Sequence, residues 1–252
     1  TGNLADYGGG MYNDYCTPSL TKVTLTGNLA NYGGGMYNNY SSPELLDSTF
    51  SGNTAAIGGG MMNVESTTIL TNVTFSGNTA ALGGGMMNVE STTILTNVTF
   101  SGNEATESGG GMYNLESSST LTNAILWGNT PNQIDNDIST TVVTYSDIQG
   151  GYSGTGNLNL NPQFTRNPSP GGDGTWGTAD DDYGDLRLQP TSPAIDAGNN
   201  TVLLAGITTD LSGAARFVDL PTIADTGLGT PPVVDMGAYE VQIAVFLPIL
   251  LN

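Results

Sequence analysis

Residues 51–75 read SGNTAAIGGGMMNVESTTILTNVTF and residues 76–100 read SGNTAALGGGMMNVESTTILTNVTF, so the two 25-residue stretches differ only at Ile57 and Leu82. Weaker copies flank them: TGNLADYGGGMYNDYCTPSLTKVTL from Thr1, TGNLANYGGGMYNNYSSPELLDSTF from Thr26, and SGNEATESGGGMYNLESSSTLTNAIL from Ser101, with one residue inserted before its glycines. Five consecutive units of fixed period are the mark of a solenoid, in which each unit buries its apolar face against its neighbours. Within a unit, short runs of Val, Ile, Thr and Phe alternate with Gly and Asn, and no stretch has a helical period. A triplet of glycines at the centre of every unit also disfavours helices. The expected fold is therefore all-β, a parallel β-helix with ~25-residue coils, each hydrogen-bonded to the next at a strand spacing of roughly 4.8 Å.

Stacking turns each repeated position into a column. Met11, Met36, Met61, Met86 and Met112 form one; Leu20, Leu45, Leu70, Leu95 and Leu121 a second; Leu25, Phe50, Phe75, Phe100 and Leu126 a third. These three read as the inward face. Asn3, Asn28, Asn53, Asn78, Asn103 and Asn129 form a polar column, read as a ladder of amides bonded from coil to coil at a corner. Coils start near residues 1, 26, 51, 76, 101 and 127, and regular repeats are expected over 1–152. The last coil is less regular, with Ile134, Ile138, Val142, Val143 and Ile148 assigned to the inside. Residues 153–252 are rich in Pro, Gly and Asp and read as an irregular C-terminal cap, with short strand candidates at 185–188, 201–204, 216–219 and 233–235.

Composition limits function. Lys22, Arg166, Arg187 and Arg216 face 23 acidic residues, for a formal charge of −19. Phosphate neutralisation needs the opposite sign, which excludes nucleic acid as a partner. With no histidine and a single cysteine, Cys16, the chain has neither a zinc pattern nor an internal disulfide. Low charge density and abundant Asn, Thr, Ser and Gly point to an extracellular or cell-surface protein. The chain opens in mid-coil at Thr1, which implies a preceding N-terminal part.

The ordered appearance of NPQF (161–164), DLRLQPTSPAIDAG (185–198), DLSGAARFVD (210–219) and VDMGAYE (234–240) resembles the C-terminal part of bacterial extracellular right-handed parallel β-helix proteins. The GGGM and FSGN elements are similar to the repeats of the polymorphic outer-membrane protein family, and the tail block resembles the "choice-of-anchor" surface proteins. The resemblance implies export, a right-handed pectin-lyase-like helix and a surface or adhesive role. It supplies no catalytic residues, and no sorting signal of those families is recognisable after Glu240.

Three groups of residues are candidate sites. In GGDGTWGTADDDYGD (171–185), Asp173, Asp180, Asp181, Asp182 and Asp185 lie on one glycine-rich loop. Their hard oxygens suit Ca²⁺, although the spacing matches neither an EF-hand nor a GGxGxD repeat; a solvated acidic loop is the alternative. The apolar tail VQIAVFLPILL (241–251) is too short to span a membrane and is broken by Pro248. It reads as a strand closing the last coil, or as one donated to another subunit through Ile243, Val245, Phe246, Leu247, Ile249 and Leu250, giving head-to-tail self-association. Asn39, Asn72, Asn97 and Asn199 are sequons that can carry glycans, although Asn72 and Asn97 also form a ladder column, so structural use competes.

Polysaccharide lyases and hydrolases use this fold, but Lys22 is the only base in the repeats, and the GHG and RIK motifs of pectin-type glycosidases are absent. Glu65, Glu90 and Glu116 share one column and read as a solvated stripe. The expected function is a non-enzymatic extracellular stalk or filament subunit, with a carbohydrate-binding or carbohydrate-cleaving β-helix as the alternative; surface glycans are candidate partners, and the latter needs an aromatic groove, for which Tyr12, Tyr37 and Tyr113 give a stripe interrupted by Met62 and Met87.

Overall fold

The computed structural model describes residues 1–203 and 205–242. Three parallel sheets wind about one core. The first holds Leu4–Tyr7, Leu29–Tyr32, Thr54–Ile57, Thr79–Leu82 and Glu104–Ser108; the second runs from Met11–Asp14 through Met36–Asn39, Met61–Val64, Met86–Val89 and Met112–Leu115 to Ile134–Asp137. The third contains the longest strands, among them Glu44–Ser51, Thr67–Ser76 and Thr92–Ser101. Register is that of the repeat: Leu70 pairs with Leu95 and Leu45, Phe75 with Phe100 and Phe50, and Met86 with Met61 and Met112.

The three apolar columns form the core, as their periodicity predicts. Phe50, Phe75, Phe100, Met36, Met61, Met86, Met112, Leu70 and Leu121 are fully buried. The phenylalanine rings stack with centroids 4.7 Å (Phe50–Phe75) and 4.4 Å (Phe75–Phe100) apart. The asparagine column is a buried ladder: Asn28 Nδ2 donates to Asn53 Oδ1 (2.8 Å), and the relay continues through Asn78 and Asn103 to Asn129. Two further amide ladders appear, Asn13 through Asn38, Asn63, Asn88 and Asn114 to Asn136, and Asn123 through Asn97 and Asn72 to Asp47. Apart from the Asn72–Asp47 bond, each joins an amide to an identical amide one coil away, which fixes register as well as energy.

Corners explain the glycines. The first glycine of each triplet has φ between 59° and 69°, the left-handed region that a Cβ disfavours. The middle one is needed for space: a Cβ on Gly59 would lie 2.5 Å from the carbonyl oxygens of both Gly84 and Thr79. Left-handed backbone also recurs at Tyr15, Tyr40, Glu65, Glu90, Glu116 and Ile138, whose side chains point to solvent. Glu65, Glu90 and Glu116 are therefore an exposed corner stripe.

That column corrects the assignment of the last coil. Val143 and Ile148 are buried and Ile134 packs on the core, but Ile138 is 81% and Val142 50% exposed. The coil is three to four residues shorter than its predecessors, so Ile138 falls on the corner occupied by Glu116, and Val142 pairs with the outward Thr120. Residues 150–160 then cover the core's end. Tyr152 packs against it, Asn157 Nδ2 donates to the Val143 carbonyl (2.9 Å) and Leu158 N to the Ser146 carbonyl (2.8 Å).

The irregular C-terminal part continues along the flank of the coils already built. Asn72 Nδ2 donates to Thr209 O (3.0 Å), Gly237 N to Asn123 O (2.8 Å) and Ala238 N to Thr99 Oγ1 (3.1 Å). A second core joins Ile125 of the solenoid to Phe164, Leu186, Leu188, Ile195, Met236 and Val241. Of the strand candidates here, 185–188 is a strand, paired antiparallel with Phe164–Arg166. The described residues of the other three are not in strands. Asn200–Val202 is a single 3₁₀ turn, and at 216–219 and 233–235 side chains take the place of a neighbouring strand: Val218 N and Asp235 N donate to Glu240, Val233 N to Asp225, and Val234 N to Asn200.

Candidate functional sites on the flank

The loop 171–185 folds back over coils three to five. Trp176 and Tyr183 stack at 5.9 Å and press on the glycines of the SGN corners. A Cβ on Gly52 would meet the Tyr183 hydroxyl at 2.0 Å, one on Gly77 the Trp176 ring at 2.6 Å, and one on Gly102 Pro168 at 2.8 Å. Ser76 Oγ donates to the Tyr183 carbonyl (2.5 Å). Beside Trp176 and Tyr183 lies an open groove of about 520 Å³, bordered also by Leu29, Thr54 and Thr178.

The five aspartates of this loop are spent separately. Asp182 pairs with Arg166 (2.5 and 3.0 Å) and Asp185 with Arg187. Each arginine holds its partner's carboxyl below the usual range. Asp180 is held down by the Thr178 hydroxyl and the Gly172 N–H. Asp181 accepts from the Gly177 and Thr178 N–H groups, and Asp173 from Thr175 N (2.8 Å). These are turn-forming contacts. Among the described residues no three acidic, Cys or His side chains converge in a way that could hold a metal, so the structure does not bring this set together as one calcium site.

Burial also separates the sequons. Asn72 and Asn97 are at most 1% exposed and belong to an amide ladder, and Asn199, 7% exposed, is bonded to Asn123 and Thr201. These three residues are buried on the folded chain. Asn39 is half-buried, with Nδ2 on Asp14 (2.8 Å). The assembly residues Ile243, Val245, Phe246, Leu247, Ile249 and Leu250 lie outside the described residues.

A tyrosine cluster sits outside the tube at the glycine corner of the first two coils. Tyr7 stacks on Tyr32 (5.3 Å) and meets Tyr12 (6.2 Å) and Tyr37 (5.2 Å); Tyr7 and Tyr12 are about half exposed. Above them Ile57, Met62, Leu82, Met87 and Tyr113 continue one packed apolar cluster. Met62 and Met87 interrupt the aromatic stripe between Tyr37 and Tyr113 in space as in sequence, while the column stays apolar throughout.

Sequence reasoning missed the buried charges. Asp196, Asp210, Asp235, Glu240 and Arg216 are all at most 3% exposed. Asp210 Oδ1 accepts from Ser212 N, Ser212 Oγ and Ala214 N, and its Oδ2 from Glu240 N. Asp235 accepts from Asp196 N (2.9 Å) and Val241 N (2.7 Å). Arg216 donates to the carbonyls of Asp235 (3.0 Å) and Gly237 (2.7 Å) and faces Glu240 at 3.6 Å. Burial raises Asp235 and Glu240 above the ordinary carboxylate range, and Asp235 adds to the rise of Glu240. Each charge stands in one of the motifs PAIDAG, DLSGAAR and VDMGAYE, and an acid set among Ala, Gly and Ile was the available signal.

Asp147, fully buried between solenoid and flank layer, is pushed up to about 6 by burial, against the pull of the Leu160 N–H. A carboxyl whose pKa is raised on folding binds its proton more tightly in the native state, so stability falls as pH rises from about 4 to about 6. The size is on the order of 3 kcal/mol. Urea unfolding at pH 5 and pH 8 should show Asp147→Asn lacking this component and exceeding wild type at pH 8.

Comparison of the chain with protein-family models, curated proteins and solved structures finds no match.

Proposed function

We propose that this chain is a non-catalytic structural element of an extracellular surface, a rigid stalk whose coils are locked along one side by the flank layer. The observation that carries this reading is where the polar side chains go: three amide ladders run from coil to coil inside the stack, bonding each coil to the next. Such a ladder holds geometry and leaves those groups unavailable for substrate. The flank layer adds cross-coil bonds at Asn72, Thr99 and Asn123, opposing the local fraying to which stacked repeats are prone. The resemblance of the GGGM, FSGN and tail motifs to those of exported β-helix proteins supports a surface location. A stalk is favoured over a head-to-tail filament because residues 150–160 cover the end of the core onto which another copy would stack. Incubating the protein with neutral and acidic polysaccharides should leave them intact; new reducing ends or unsaturated products contradict a structural role.

A second reading, carbohydrate binding, is favoured by one observation. Tyr7, Tyr12, Tyr32 and Tyr37 interlock beside the amide–carboxylate pairs Asn31–Asp6 (2.9 Å) and Asn39–Asp14 (2.8 Å), a combination of ring faces and polar groups suited to a sugar. Glycan binding lost in Tyr12→Ala would establish it; no binding to a broad glycan panel would remove it.

A further inference from the structure

Asp196 is fully buried, and neither of its carboxylate oxygens accepts a hydrogen bond from any described residue. A carboxylate placed so costs several kcal/mol unless something positive meets it. The position is not slack in the chain. Asp196 is held in the left-handed region (φ 53°), its N–H bonded to Asp235 Oδ1 (2.9 Å) and its carbonyl accepting from Thr226 N (2.9 Å) and Gly227 N (3.1 Å). Its surroundings are acidic: burial first, then Asp235, Asp225 and Asp219, push its carboxyl up to about 7, while the Leu220 N–H pulls the other way without hydrogen-bond geometry.

None of the chain's four basic side chains bonds the Asp196 carboxylate. Arg166 and Arg187 are engaged at the surface with Asp182 and Asp185, and Lys22 lies in the first coil. Arg216 points its Nη2 at the Asp235 and Gly237 carbonyls and its Nε toward Glu240 at 3.6 Å; among the described residues its Nε and Nη1 make no hydrogen bond, and it makes none to Asp196. With no bonded side-chain cation, the Asp196 charge is met either by a proton or by a bound cation.

We propose that Asp196 is the inner ligand of a calcium site closed by the loop 219–227, which is pinned over it by the Thr226 and Gly227 N–H groups. Asp219 and Asp225 stand exposed on that loop and draw cations toward it. No three acidic side chains converge among the described residues, so main-chain carbonyl and water oxygens complete the shell. That donor set suits Ca²⁺, which takes six to eight oxygens, and not zinc, which wants sulfur or nitrogen. This site is distinct from the aspartates of the 171–185 loop, and it stands whether the chain is a stalk or a sugar binder.

The test is thermal unfolding of the full chain in EDTA and across a calcium titration, with equilibrium dialysis against radioactive calcium for stoichiometry. Calcium should raise Tm saturably, by about 5–10 °C at a hundred times Kd. Asp196→Asn should lose the response and, in EDTA, melt above wild type, because the uncompensated charge is gone. The triple substitution Asp180→Asn, Asp181→Asn, Asp182→Asn should keep the response. Equal Tm values in EDTA and calcium, with Tm rising as pH falls through 7 in both, would make the counter-charge a proton and overturn the site; so would a calcium response that survives Asp196→Asn. Should Asp196→Asn fail to fold, the exposed Asp225→Asn decides: a weakened calcium response supports the site, and an unchanged one contradicts it.

Discussion

Arg216→Met should destabilise the protein by about 3–5 kcal/mol, the usual cost of deleting one partner from a buried ion pair. Arg216 is the largest fully buried side chain, and with its removal Glu240 and Asp235 face one another with no positive group between them. Two main-chain carbonyls, those of Asp235 and Gly237, lose their donor as well. Gly237 N binds Asn123 O, so the damage is transmitted to the seam between the flank layer and the solenoid. Trp127 packs on the flank core and Trp176 lies on the corner glycines, so tryptophan emission during urea unfolding reports on this seam directly. Protonation of Glu240 limits the loss, and Arg216→Met combined with Glu240→Gln should recover part of it. A cost below about 1 kcal/mol would mean that the arginine is not what holds these carboxylates.

The second large effect belongs to the solenoid core. Phe75→Ala should cost about 3–5 kcal/mol, the range for removing a buried phenylalanine. Its ring lies between those of Phe50 and Phe100 at 4.7 and 4.4 Å, nearly parallel to both, and a Cβ on Gly60 would come within 2.8 Å of it. Neither neighbouring ring can close the gap without leaving its own coil's register, which the amide ladder beside it holds: Asn103 Nδ2 donates to Asn129 and to the Phe75 carbonyl. Leu25→Ala, in the same column at the first coil, should cost less, since Leu25 has one aromatic neighbour in its column and retains some exposure. Chemical unfolding of the two variants measures the difference; equal losses would contradict the idea that stability is built from contacts on both faces of a coil.

The solenoid was legible because each coil repeats both its hydrophobic pattern and its corner residues, so Met36, Leu70 and Phe75 are assigned inward by position as well as by type. Where the period slips, hydrophobicity alone misleads: Ile138 and Val142 are apolar, yet the shortened coil places them at a corner and on an outward face. The flank layer was legible only as irregular. Its would-be strands at 216–219 and 233–235 donate to side chains, and those partners, Glu240, Asp225 and Asn200, come from elsewhere in the chain. The buried acids escaped notice for the same reason: Asp196 meets Asp235 across 39 residues of sequence, and no local spacing encodes that contact. The aspartates of 171–185 are near in sequence, but in the structure the arginines and turn N–H groups take them up separately.

One coil lies above the next in a 25-residue register, and paired cysteines test this directly. Ile69 and Ile94 are outward-facing partners in adjacent strands of the third sheet. At a strand spacing of roughly 4.8 Å their Cα atoms fall within disulfide range. With Cys16 replaced by serine, Ile69→Cys with Ile94→Cys should oxidise to an intramolecular disulfide with native-like circular dichroism, whereas Ile69→Cys with Thr96→Cys should not. Cross-linking of the second pair in preference to the first, or of neither in the folded protein, would contradict the stacking of the coils.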